Sequence, residues 1–107
     1  MTTYVTLSDI YADLDGKIVG TALMHLQHKI SYHCGTAGHL EDVVVDKAYR
    51  GHGAGEALVK AAIDKAREKN CYKIMLGCYD KTAPYYEKFG FKRHDIGMRM
   101  ELKELYV

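Results

Sequence analysis

Apolar and polar residues follow a strand-like pattern through the first part of the chain and then change to a helical spacing. Residues 4–7 and 10–14, followed by 17–26, are rich in apolar and β-branched positions and flank Asp15-Gly16. That dipeptide suits the left-handed central positions of a tight turn, so the chain is predicted to open with a β-hairpin. The segment 31–38 is polar and carries two glycines, which predicts a loop. Strand character returns over 39–46 through Val43-Val44-Val45 and stops at a cluster of glycines.

From 54 to 69 the apolar residues Leu58, Val59, Ala62, Ile63 and Ala66 fall on one stripe, with Glu56, Lys60, Asp64 and Arg67 opposite. This predicts an amphipathic helix of about four turns, with Asn70 placed to end it. Over 71–78 the period returns to two, with Tyr72, Ile74 and Leu76 against Lys73, Met75 and Gly77. Strand, helix and strand in succession predict a parallel crossover. Thr82 and Pro84 can start a short helix that carries Tyr85, Tyr86 and Phe89, with Gly90 to close it in the left-handed conformation. Residues 91–96 and 97–102 read as two final strands. The pattern describes one domain over 1–107, an α/β fold of the α+β type with a mixed sheet flanked by helices.

The strongest chemical signal lies between the valine strand and the long helix, in Arg50-Gly51-His52-Gly53-Ala54-Gly55. Free backbone amides at a helix start form an anion site, and glycines let phosphates approach the backbone closely. A nucleoside triphosphate loop requires Lys and then Ser or Thr after its last glycine, whereas Glu56 and Ala57 follow here. The dinucleotide fingerprint requires GxGxxG and a carboxylate near the end of the next strand. The spacing here is GxGxG and the strand ends in Leu76-Gly77, so that reading is disfavoured. A plain tight turn is the simpler account, against which stand three glycines in five positions next to an arginine.

Arg50, Gly53 and Gly55 instead match the Arg/Gln-x-x-Gly-x-Gly/Ala signature, and the chain resembles the GNAT acyltransferases. It is most similar to the branch of that family that acetylates glucosamine 6-phosphate. The residues that carry this are Gly38-His39-Leu40-Glu41-Asp42 with the valines, Asn70-Cys71-Tyr72-Lys73-Ile74, and Tyr86-Glu87-Lys88-Phe89-Gly90-Phe91. The resemblance implies an N-acetyltransferase, a mostly antiparallel mixed sheet, and acetyl-CoA as co-substrate. It places the pantetheine arm along Val43, Val44 and Val45 and the pyrophosphate on Arg50, Gly51, His52, Gly53, Ala54 and Gly55, with Tyr86 and Lys88 also at the cofactor. It assigns the phosphosugar pocket to Lys29, Ile30, Tyr32, Glu41, Asp42, Tyr72, Lys73 and Lys103, shared across a homodimer.

Two departures stand out. The family has an acidic residue at the position of Gly77, whose backbone carbonyl is implied in orienting the amine. The family's first strand and first two helices also have no counterpart here, so the fold is expected to be an N-terminally shortened one. Another small amine or a protein amine is therefore an alternative acceptor, and a coenzyme A-binding domain without catalysis is a third reading.

Acetyl transfer needs a neutral amine, donors for the oxyanion and a proton for the leaving thiolate. The resemblance implies Tyr86 as the proton donor, with Tyr85 beside it as the core aromatic. Amides near Val43, Val44 and Val45 suit the oxyanion, and Glu41 is a candidate for amine deprotonation. Strand alternation would set Glu41 and Asp42 on opposite faces. Cys78, next to Gly77, is a weaker candidate for an acetyl-cysteine route.

Composition narrows the rest. Lys and Arg number 15 against 14 Asp and Glu, a balance that lacks the basic excess of a nucleic-acid binder. No run of 18 apolar residues suggests a membrane span, and the first residues lack signal-peptide character, so a cytoplasmic location is expected. Cys34, Cys71 and Cys78 have no CxxC spacing. His25, His28, His33, His39, His52 and His94 have no acidic residue at a ligand-like interval, so no metal is expected.

Overall fold

Asp15 at φ 51° and Gly16 at φ 88° occupy the two central positions of a tight turn, and the Gly16 amide donates to Asp13 Oδ1 at 2.8 Å. The predicted hairpin is therefore present, with its strands at Asp9–Leu14 and Lys17–His28. The computed structural model describes residues 1–31 and 33–103. Two compact units make up the chain, Met1–Leu76 and Gly77–Val107.

In the first unit the strands are β1 (Thr2–Val5), β2 (Asp9–Leu14), β3 (Lys17–His28), β4 (Thr36–Val45) and β5 (Cys71–Leu76). They form one sheet in the order β1-β2-β3-β4-β5. All neighbours are antiparallel except β4 and β5, which are parallel and joined through helix α1 (Ala54–Glu68). This is the expected mixed sheet and crossover. Two boundaries differ from the pattern. The first apolar stretch splits into β1 and β2 because Thr6 caps a turn, its Oγ1 accepting from the Asp9 amide at 3.1 Å. β4 starts at Thr36, inside the segment read as loop, because its polar residues find ladder partners in β3, with His28 opposite Thr36.

Helix α1 lies on one face of the sheet. Leu58, Val59, Ala62 and Ala66 are buried against Ile10, Ala12, Val19, Ala22 and Met24, while Ile63 is only half-buried and Ala61 takes a place in the buried stripe. Close approach depends on Gly20, where a Cβ would come within 3.1 Å of Leu58 Cδ1 and of the Val44 carbonyl oxygen. Lys65 is the one charged residue in the core of the described chain. Its Nζ donates to the carbonyls of Thr6 at 3.0 Å and Leu7 at 2.5 Å, fastening the β1–β2 turn to the helix. Burial lowers its pKa. Asn70, at φ 55°, ends α1 as expected.

The second unit holds a short 3-10 turn (Asp80–Thr82) and helix α2 (Ala83–Glu87). Pro84 lies in the first turn of α2. Gly90, at φ 103°, follows it, and the amides of Gly90 and Phe91 donate back to the carbonyls of Glu87 and Tyr86. The two final strands predicted over 91–96 and 97–102 are absent: residues 91–103 belong to no strand. Ile96, Met98, Met100 and Leu102 alternate as a strand would, yet all are at least 81% exposed. Alternation makes a strand only when a ladder partner satisfies its amides, and these residues have none.

Candidate functional site

The central feature of the first unit is the divergence of β4 from β5. Leu40 opposite Leu76 is the last pair between them. β5 stops there, whereas β4 runs on through residues 41–45, paired only with β3. The Asp46 amide donates to the Val19 carbonyl at 2.8 Å, so by antiparallel alternation Val45 turns its own N–H and C=O away from β3, toward the unpaired edge. An open edge of this kind is a template for an extended ligand.

Midway along this edge is a bulge. Leu23 faces Glu41 and Thr21 faces Val44, so Ala22 alone stands opposite Asp42 and Val43. Asp42 takes up the extra length at φ 51°, a conformation that aspartate tolerates better than most residues. Simple alternation would set Glu41 and Val44 on opposite faces. The bulge shifts the phase by one residue and brings both to the face away from α1, with Thr21 and Leu23. The bulge interrupts strand alternation directly after Glu41, and Glu41 and Asp42 are both exposed.

Beyond Val45 the chain turns through a 3-10 segment (Lys47–Tyr49) capped by Asp46 and reaches the glycine loop. Gly51 and Gly53 have φ of 87° and 84°, and Gly53 is the N-cap of α1. No side chain caps that helix start. The first return bond runs from the Ala57 amide to the Gly53 carbonyl, leaving the Ala54, Gly55 and Glu56 amides in the first turn ahead of it. A Cβ at Gly51 or Gly53 would meet no atom within 4 Å. The loop is thus an open cradle of amides at the positive end of a helix, which fits a pyrophosphate.

The loop is braced by residues that sequence reasoning missed. Lys17 Nζ donates to Tyr49 Oη at 3.1 Å and lies 4.6 Å from the ring centroid, and the hydrogen bond to Tyr49 raises the lysine's pKa. His52 Nδ1–H donates to the Tyr49 carbonyl at 3.1 Å. Lys17 and Tyr49 are 32 residues apart, and only the position of Lys17 next to the hairpin turn hints at the pairing.

The predicted acceptor residues divide. Glu41 lies 3.8 Å from His25, Oε2 to Nε2. Lys29, Ile30, Tyr72 and Lys73 cluster by register at the other end of β4, since His28 and Cys71 both pair with Thr36. Lys29 donates its amide to the Gly35 carbonyl at 2.7 Å, Ile30 is exposed, and Lys73 Nζ is 5.4 Å from the Tyr72 ring centroid. Tyr32 lies outside the described residues.

In the second unit Gly77 and Cys78 are exposed. Tyr86 is half-buried, edge-on to Tyr85 at 5.2 Å and to Phe91 at 6.2 Å. Burial, and then Cys78, push its phenol pKa up, so it stays protonated through the neutral range. Lys88 Nζ lies 4.9 Å from the Tyr85 ring centroid. Lys103 is exposed. Among the described residues no cluster of His, Cys, Asp and Glu has the arrangement of a metal site, and no helix is long and apolar enough to cross a membrane.

Residues 3–91 match the model of the acetyltransferase (GNAT) family. A glucosamine 6-phosphate N-acetyltransferase of Trypanosoma brucei brucei is 45% identical over 87 residues, covering 81% of this chain and 59% of the relative. The crystal structure of a Trypanosoma brucei acetyltransferase superposes with a TM-score of 0.81 at 41% identity, over 88% of this chain and 68% of that one. That of the Arabidopsis thaliana glucosamine-6-phosphate N-acetyltransferase gives 0.84 at 33% identity, over 89% and 66%. The chain spans between half and three fifths of the length of the first curated relatives it matches.

Proposed function

The chain belongs to the acetyltransferase (GNAT) family, and from that premise we propose that it transfers the acetyl group of acetyl-CoA to the amine of glucosamine 6-phosphate, as one domain over residues 1–107. The observation that carries the reading is the open edge of β4 running into the uncapped glycine loop. Residues 41–45 span roughly 15 Å at about 3.3 Å each. A pyrophosphate on the Gly51–Gly53 cradle then sends its pantetheine arm along Val45, Val44 and Val43, with the thioester beside Glu41.

The acceptor assignment rests on the relatives named glucosamine 6-phosphate N-acetyltransferase and on the order of groups along β4. Glu41 stands near the acyl end as an anionic partner for an ammonium. Lys29, Tyr72 and Lys73 follow toward the Thr36 end, where ammonium groups suit a phosphate. Amides of the open edge donate to the developing oxyanion, and the Gly77 carbonyl helps orient the amine. The phenol of Tyr86, whose pKa burial raises further, supplies the proton to the leaving thiolate. Lys88, Asp42, Ile30, Tyr32 and Lys103 complete the cofactor and acceptor contacts in this reading. The proposal includes a homodimer, checked by sedimentation equilibrium, and a cytoplasmic location, checked by fractionation.

The test is thiol release from acetyl-CoA with glucosamine 6-phosphate, glucosamine, a polyamine and a lysine peptide. Turnover confined to the phosphosugar supports the proposal. Turnover with another amine, or coenzyme A binding without turnover, overturns the acceptor assignment. Under the same assay Tyr86→Phe should lower kcat with little change in coenzyme A affinity; an unaltered kcat removes Tyr86 from the mechanism.

A further inference from the structure

The ammonium of an amino sugar must lose a proton before it can attack; Glu41 is the candidate named above for that step, but a carboxylate is a weak base for an ammonium and no nitrogen base has been assigned. The face of the sheet away from α1 offers one. Antiparallel pairing sets His25 of β3 opposite His39 of β4 and next to Glu41. His39 Nε2 is engaged by Gln27 Oε1 at 2.8 Å, whereas His25 Nε2 is directed to Glu41 Oε2 at 3.8 Å. Glu41 is also the first residue of β4 beyond its last pair with β5. The imidazole and carboxylate therefore stand together where the two strands part. Both side chains are about half exposed, 51% and 54%, on the face that α1 does not cover.

We propose that His25 is the base that deprotonates the acceptor amine, with Glu41 holding the ammonium and stabilising the imidazolium. This deepens the acetyltransferase reading and rests on it. The logic is that of a base oriented by a carboxylate, in which one ring nitrogen faces the acid and the other takes the proton. With Nε2 turned to Glu41, Nδ1 is the acceptor. A proton passes from the ammonium to Nδ1, and the freed lone pair attacks the thioester carbonyl. The C–N bond forms, the C–S bond breaks, the second amine proton reaches the thiolate through Tyr86, and His25 returns its proton to water. One amide, one thiol and one released proton account for all atoms. Among the described residues, the other titratable groups that register places on this face around His25 are His39 on β4, Lys73 on β5, which pairs with Ala37, and Asp9 and Tyr11 on β2, which pair with Leu23 and Thr21.

Sequence spacing could not show this pair, because His25 and Glu41 are 16 positions apart in the chain and only the β3–β4 register joins them. Glutamine at position 25 keeps a donor toward Glu41 but takes up no proton. The experiment compares the full-length wild type with His25→Gln, measuring thiol release from acetyl-CoA and glucosamine 6-phosphate across pH. Calorimetric binding of coenzyme A and NMR of the imidazole resonances on addition of glucosamine 6-phosphate supply readouts that do not depend on turnover. H25Q is expected to bind coenzyme A like the wild type and to lose about a hundredfold in kcat at neutral pH. The deficit should shrink as rising pH supplies neutral amine without a base, and the sugar phosphate should shift the His25 resonance in the wild type. A loss that is equal at every pH, no loss, or an unmoved His25 resonance overturns the proposal while leaving the acetyltransferase reading intact. If the wild type itself releases no thiol with this acceptor, that reading fails and the role of His25 falls with it.

Discussion

β4 is one strand with two characters. Its first half, from Thr36 to Leu40, is paired on both sides and holds buried Ala37, Gly38 and Leu40. The second half, residues 41–45, has one partner, a bulge and an aspartate at positive φ. Doubly paired backbone has no amide to offer a ligand. Singly paired backbone does, and the bulge sets which side chains attend it. The difference shows how a sheet combines rigidity with a binding edge: the edge is held in register by the same strand that is locked a few residues away.

The contrast can be broken from either half. Leu40→Ala removes a core side chain that is 2% exposed and should cost about 2–5 kcal/mol in urea unfolding, with coenzyme A affinity of the folded protein unchanged. A loss of affinity as large as the loss of stability would mean that the two halves are not separable. Val45→Pro removes an outward-facing N–H where a strand edge tolerates proline. Coenzyme A should bind about tenfold more weakly, near 1.4 kcal/mol, with little change in unfolding midpoint; unaltered affinity would place the ligand elsewhere. The smallest effect is expected from Tyr49→Phe, which cuts the Lys17 hydrogen bond at the loop. This surface contact should change coenzyme A affinity by about twofold, less at high salt, and a tenfold change would make Lys17 a direct ligand contact.

Much of this was legible in the chain. Asp15-Gly16 named its turn, the stripe of Leu58, Val59, Ala62 and Ala66 named α1, and Gly53 before that helix marked the anion cradle. Each is a local signal, settled by the conformational preference of a few neighbouring residues. The strands expected over 91–102 failed for the opposite reason. Ile96, Met98, Met100 and Leu102 carry the period of a strand, but period does not supply a partner. Ile63, expected in the apolar stripe, is only half-buried, while Lys65 is buried because two carbonyls of the β1–β2 turn satisfy its ammonium, and no helix pattern records where those carbonyls lie.

Turn chemistry, the amphipathic helix, the glycine cradle and the family resemblance all follow from residues close together in the chain. Tertiary structure alone decided where β5 stops against β4, which residues the Asp42 bulge turns to the open face, and that His25 meets Glu41 and Lys17 meets Tyr49. These are products of strand register. Register depends on the sum of pairings along whole strands, and one extra residue in a bulge resets every side chain beyond it.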